Sequence, residues 1–164
     1  MHRLEINDIS TPPRWFEIAE GELGVREVRG RRHNDRVLQY LQTALNIGKW
    51  GRERDETAWC AAFVNWCLKQ AGEEGTGSAL ARSFVNWGVP CDDRLGAICV
   101  IKYKGHADAN TGSRAGFHVG FLVRVTSHSY RILGGNQRDE VSYRNFPKRS
   151  YELIALRWPE RHET

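Results

Sequence analysis

The chain has 164 residues, 40% of them apolar and 27% charged, an ordinary globular composition at a length that builds one domain and a core without staples. A net charge of +4 and a pI near 9.0 suit an anionic partner, such as nucleic acid, a membrane surface or a cell-wall polymer, as readily as plain solubility. No apolar run approaches the roughly 18 residues of a membrane span, and MHRLEINDISTPPRW has no apolar signal core. The expectation is therefore synthesis in the cytoplasm, no stable membrane insertion, and a dedicated export route for any work elsewhere.

In chain order, residues 1–13 read as an arm ending at Pro12-Pro13, and residues 14–160 as a single domain. RWFEIAEGELG carries Trp15, Ile18, Ala19 and Leu23 at helical spacing, with Gly24 as a stop. After the basic loop VREVRGRRHN, residues 35–45 form a second predicted helix that Asp35 would cap. AWCAAFVNWCLKQAG is a third, with Trp59, Ala62, Phe63 and Trp66 as its buried stripe and Gly72 as its stop. SALARSFVNWG, residues 78–88, reads as a short fourth.

The texture changes after residue 90. AICVIKY (97–103), FHVGFLVRV (117–125), SYRILGG (129–135), VSYRNF (141–146) and YELIALRW (151–158) are short, β-rich and separated by turn residues. Helices followed by strands predict an α+β domain with an antiparallel sheet of about five strands. The polar stretch KGHADANTGSRAG (104–116) is long for a compact domain, and loops of that size are often functional.

The four cysteines are Cys60, Cys67, Cys91 and Cys99. None forms a C-x-x-C pair, which argues against a cysteine-based zinc site. Cys60 and Cys67 sit two helical turns apart, roughly 10 Å along the axis, too far to bridge. Cys91 and Cys99 are free to pair with each other or with Cys67 in an oxidising compartment, or to act as small buried hydrophobes when reduced. Cys60 stands apart. With Thr57 or Asp55 as N-cap it falls in the first helical turn, where free N–H groups and the helix dipole favour thiolate and would also hold an oxyanion. The alternative is a buried helix cysteine like Cys67.

A cysteine nucleophile needs a base, and the base an orienting group. His2 and His162 lie in the end segments; His33, His106 and His128 lie in loops or turns. His118 opens an apolar strand that would hold its ring rigidly, the alternative being a satisfied core histidine. LGGNQ, residues 133–137, ends the next strand, which in an antiparallel hairpin returns beside the start of the His118 strand. The Asn136 amide is thus placed to fix the His118 tautomer, with Gly134 and Gly135 allowing close approach or positive φ. Taken alone, GGNQ is also a plain Gly-Asn turn.

DETAWCAAFVNWCLKQAG, SALARSFVNWG, FHVGFLVRV and LGGNQRDEVSY together resemble the CHAP group of cysteine, histidine-dependent amidohydrolases and peptidases. This group belongs with the NlpC-like peptidoglycan hydrolases in the papain-like superfamily. WFEIAEGELGVREVRG is also similar to single-domain members from phage lysis cassettes and among antibacterial effectors of the type VI secretion kind. The resemblance spans about residues 14–158 and implies a papain-like fold with Cys60 as nucleophile, His118 as general base and acid, and Asn136 as orienter. Two departures stand out. Members usually show Gly-Asp at the turn into the first strand, here Gly96-Ala97, and papain's oxyanion glutamine, six residues before its cysteine, is here Arg54. The Cys60 N–H is then the first oxyanion donor, and the second is unassigned.

The resemblance implies covalent hydrolysis of a peptidoglycan amide, by amidase or endopeptidase action, with no metal or cofactor. The protein would be a monomer acting in the periplasm or cell wall after holin release or secretion, and a secreted toxin would have a cognate immunity protein plugging the cleft. Trp59 and Asp55 would shape the cleft; Trp50, Trp87, Tyr103 and Gln137 are candidates for substrate contact. Arg31, Arg32 and Arg54 are candidate partners for substrate carboxylates, solvated charge being the alternative. Competing functions are a papain-like protease or acyltransferase on a non-wall substrate, and a non-catalytic wall-binding module. Scattered basic residues and the lack of a binding motif speak against a nucleic-acid partner.

Overall fold

The computed structural model describes residues 11–27, 34–44 and 59–160. Among them are three α-helices, a 3₁₀ turn and a six-stranded sheet: α1 (Arg14–Glu20), α2 (Asp35–Leu41), α3 (Cys60–Gln70), the 3₁₀ turn Ala81–Phe84, then β1 (Val89–Pro90), β2 (Ile98–Tyr103), β3 (Phe117–Val125), β4 (Ser129–Gly134), β5 (Ser142–Pro147) and β6 (Tyr151–Trp158). The architecture is α+β, helices first. No helix among the described residues is long and apolar enough to cross a membrane.

The helices follow the apolar spacing, with local corrections at their ends. α2 is capped by Asn34 rather than Asp35: Asn34 Oδ1 accepts from the N–H of Arg36 at 2.8 Å and of Val37 at 3.4 Å. α3 begins at Cys60, with Trp59 in the N-cap position and no side-chain cap bond; the expected caps Thr57 and Asp55 lie outside the described residues. It ends at Gly72, whose φ of 81° allows Glu73 N–H to return to Leu68 C=O at 2.9 Å.

The fourth predicted helix shrinks to the single 3₁₀ turn. Both its flanks are committed elsewhere. Asn65 of α3 accepts at Oδ1 from Thr76 N–H (2.7 Å) and Gly77 N–H (3.3 Å) and donates to Ser78 C=O (3.0 Å), while β1 begins at Val89. That leaves space for one turn only.

All neighbouring strands are antiparallel, in the order β1-β6-β2-β3-β4-β5. The predicted strands lie within a residue or so of their observed bounds, and the sixth is the two-residue β1. Because strand side chains alternate, the register sorts the residues onto two faces. Ile98 and Val100 of β2, Val119 and Phe121 of β3 and Leu133 of β4 join Ala62, Phe63, Val64 and Cys67 of α3 in the main core. Ala97, Cys99, Ile101, Leu122, Ile132, Phe146 and Tyr151 build a smaller core on the other face. Phe146 of β5 and Tyr151 of β6 stand four strands apart in the sheet order, yet their rings meet at 4.9 Å. The sheet therefore curls over its second face into a partial barrel, and His118, paired with Ile101, points into it.

Candidate active site

The site forms where β4 leaves the sheet. Leu122 N–H donates to Ala97 C=O at 2.8 Å, so the even-numbered residues of this part of β3 turn their backbone groups towards β2 and the odd-numbered ones towards β4. The β3–β4 register ends at Phe121 with Leu133, and β4 itself ends at Gly134. Val119 lies two residues short of the last pair, and its N–H group favours the Cys60 thiolate. The N–H groups of Ala61 and of Cys60 itself act in the same direction. Burial pushes the thiol's pKa up, and these three N–H groups, which favour thiolate, offset this only in part.

Two glycines make the junction. A Cβ on Gly135 would lie 2.7 Å from the Trp59 ring and 2.8 Å from Phe63 Cβ, so only a residue without a side chain lets the end of β4 abut the start of α3. A Cβ on Gly134 would lie 2.5 Å from Gln137 Oε1 and 3.4 Å from His118 Nε2. Gly134 thus leaves space for the bond between those two side chains. Both glycines serve close approach. The positive φ values fall instead on Asn136 (57°), Arg138 (56°) and Asp139 (67°).

His118 is fully buried, and its Nε2 lies 2.9 Å from Gln137 Oε1. The polarity of this bond is decided at the far end of the amide. Gln137 Nε2 donates to Ser142 C=O at 2.7 Å and Ile132 C=O at 3.2 Å, both of which only accept. Oε1 is therefore the atom facing the ring, and His118 Nε2 carries the proton. Nδ1 is left as a buried lone pair with no hydrogen-bond partner among the described residues. Burial lowers the His118 pKa to about 4, against opposing effects of the Gln137 bond and the Asp108 charge. The ring is neutral at physiological pH, in the tautomer whose Nδ1 accepts a proton.

Here the expected arrangement is corrected. Asn136 does not orient His118: its amide donates to Thr111 C=O at 3.0 Å, and its left-handed backbone turns the next side chain, Gln137, onto the imidazole. Gln137, expected at the substrate, is 1% exposed and bonded inside the fold.

The 104–116 stretch is an ordered loop fastened to the barrel. Buried Asp108 accepts from Tyr151 Oη at 2.7 Å, from Thr111 Oγ1 at 3.3 Å and from Asn110 N–H at 3.0 Å. Arg138 N–H donates to Asn110 C=O at 2.8 Å. So held, residues 111–115 form one wall of a cleft of ≈ 560 Å³, residues 79–82 form the facing wall, and Cys60 and Phe117 also line it.

Sequence reasoning missed this lining. Trp59 is fully buried, stacked on Tyr40 at 5.7 Å and donating from Nε1 to Glu27 at 3.0 Å. Trp87 donates to Glu74 C=O and packs on Phe84, and Tyr103 packs on Tyr151; neither lines the cleft. Trp50, Asp55, Arg31, Arg32 and Arg54 lie outside the described residues. Ala97, in place of the familiar aspartate, is buried in the second core. All four cysteines are free thiols, and no three His, Cys, Asp or Glu side chains among the described residues cluster as metal ligands.

Compared with known proteins, the chain matches no family model, no curated protein and no solved structure.

Proposed function

We propose that the chain is a papain-like cysteine hydrolase of peptidoglycan, cutting an amide of the cell-wall peptide. One observation carries the catalytic part: the Gln137–His118 bond leaves a neutral imidazole whose Nδ1 has no partner among the described residues, and Cys60 lines an open cleft. The two side chains rest on different faces of the sheet and are not hydrogen-bonded, so the reading requires them to approach when substrate binds. The CHAP-like sequence blocks around Cys60, His118 and Gly134-Gly135 support the choice of wall peptide as substrate and of a papain-like arrangement of helices and sheet.

In this reading thiol and imidazole rest as a neutral pair, because burial disfavours both charges. As the sulfur attacks the carbonyl carbon, its proton passes to His118 Nδ1. The developing oxyanion is received by N–H groups of the first turn of α3, where Cys60 and Ala61 have no acceptor within the helix. The imidazolium, steadied by Gln137 Oε1, returns the proton to the leaving amine. Water, deprotonated by the same nitrogen, then frees the acyl group from Cys60. Every proton that leaves sulfur or water passes through Nδ1, so no second base is required. Cell-wall action would follow holin release or secretion, and a secreted form would have an immunity protein that fills the cleft.

The test is digestion of purified Gram-negative sacculi by wild type and Cys60→Ala, with products resolved by mass spectrometry. New fragments from wild type alone support the reading and name the bond. Cys60-dependent turnover of a protein substrate with intact sacculi would replace the wall by another target. Wall binding without cleavage by either form would make the chain a binding module.

A further inference from the structure

The charged side chains that line the cleft among the described residues are of one sign. Arg82, on the 3₁₀ wall, and Arg114, on the loop wall, are both exposed and both line it, and no carboxylate among the described residues does. Many arginines of the described residues are already engaged. Arg26 pairs with Glu140 at 2.7 Å and Arg36 with Glu22 at 3.1 Å, Arg157 donates to Val85 C=O at 2.8 Å, and Arg94 lies 3.7 Å over the Trp158 ring. Arg82 and Arg114 have no such ion pair, hydrogen bond or ring contact among the described residues.

Their walls are held rather than loose. Asn65 fixes residues 76–78, and Ser78 Oγ accepts from Leu80 N–H at 3.0 Å. On the other side Asn136 holds Thr111, and Ser113 Oγ accepts from Gly116 N–H at 3.0 Å. Beside the two guanidinium groups the lining mixes apolar side chains, Leu80 (48% exposed), Ala79, Ala81, Ala115 and Phe117, with the hydroxyl residues Thr111 and Ser113.

Resting on the hydrolase reading only for the bond that is cut, we propose that Arg82 and Arg114 are specificity residues. They select an anionic peptide bearing free carboxylates that flank the scissile amide. Guanidinium forks match carboxylates bidentately and remain charged at any working pH, so each wall discriminates a free acid from its amide. The attraction also raises the local concentration of anionic ligands around Cys60.

The test needs no turnover. Cys60 in the folded protein is alkylated with anionic iodoacetate and with neutral iodoacetamide, and the two rates are read at the Cys60 peptide by mass spectrometry. Their ratio cancels any change in thiolate fraction. The ratio is expected to fall about tenfold from wild type to the double variant Arg82→Gln/Arg114→Gln, the size of two moderately screened charges near the sulfur. Added salt should shrink the difference, and Arg82→Lys/Arg114→Lys should restore most of the ratio. Equal ratios in wild type and the Gln variant would overturn the proposal. So would a Cys60 that takes up neither reagent, since the sulfur would then not be reached from the cleft. An inactive enzyme with a normal charge-dependent ratio would sink the hydrolase reading and leave the anionic cleft standing. With active enzyme, amidation of the substrate carboxylates should raise KM about tenfold and leave kcat unchanged; an unchanged KM would count against the two arginines.

Discussion

Gln137 Oε1 sits 2.9 Å from His118 Nε2, and the other end of the same amide is tied to two backbone carbonyls. A side chain so fixed has one orientation, and it imposes one tautomer on the imidazole. Gln137→Ala should therefore lower kcat by about 10²-fold or more, on the scale of lost orientation of a catalytic imidazole. Long-range proton–nitrogen NMR should find the Nε2–H tautomer of His118 in wild type and a mixture in the variant. Asn136→Ala should leave that signature in place, whatever it does to the loop at Thr111. The reverse pattern would restore Asn136 as the orienting residue.

The buried imidazole also predicts a pH dependence of stability. Its pKa falls from the ordinary 6.5 to about 4 on folding. Between these values the unfolded chain binds the proton and the native state does not, so stability rises with pH across this window. Equivalently, the contribution is whole above pH 6.5 and is lost as pH falls through 4, for a total of about 3 kcal/mol. Urea unfolding of wild type and His118→Gln at steps from pH 4 to 7 isolates it by difference. The slope between the curves should be positive for wild type and disappear outside the window.

Gly135→Ala should cost roughly 1–3 kcal/mol, the usual penalty of overpacking, because the new methyl meets both Trp59 and Phe63. It should also loosen the junction that holds the Cys60 thiol, so Cys60 alkylation and unfolding free energy should change together. A stable variant with unchanged thiol reactivity would place the strand end elsewhere.

Asn65 of the WCAAFVNW block acts at a distance from the sulfur by fastening one wall of the cleft. Asn65→Ala strips acceptors from Thr76 and Gly77 N–H and a donor from Ser78 C=O. The expected loss is about 2–3 kcal/mol, as for buried groups left unpaired. Asn65→Asp keeps the acceptor pair and should lose less. Chemical denaturation of the two variants checks the order.

What the sequence by itself determined is what depends on neighbours in the chain. β-rich composition and flanking turn residues locate β3 and β6 at their observed bounds, since both signals are local. The first turn of α3 was legible at Cys60 because apolar spacing and the Gly72 stop bracket the helix. The β3–β4 hairpin could also be read, because a hairpin folds on itself, though its register stops at Phe121 with Leu133, short of the start of the His118 strand.

Only the tertiary structure decided which amide of the LGGNQ end meets the ring. The choice between Asn136 and Gln137 turns on β4 leaving the sheet at Gly134 and on a left-handed residue at Asn136, neither of which has a local signal strong enough to read. The same is true of Trp59, whose place at the head of α3 suggested a cleft wall, until the packing of Tyr40 and Gly135 against it buried it completely. The fourth helix was lost for a like reason: Asn65, distant in sequence, claims the backbone groups of residues 76–78. The cleft belongs to the tertiary structure entirely, because its two walls, residues 79–82 and 111–115, are far apart in the chain and meet only in the fold. Helix and strand are set by the chain's own periodicity; the partner of a buried polar atom is set by whatever the fold brings within 3 Å of it.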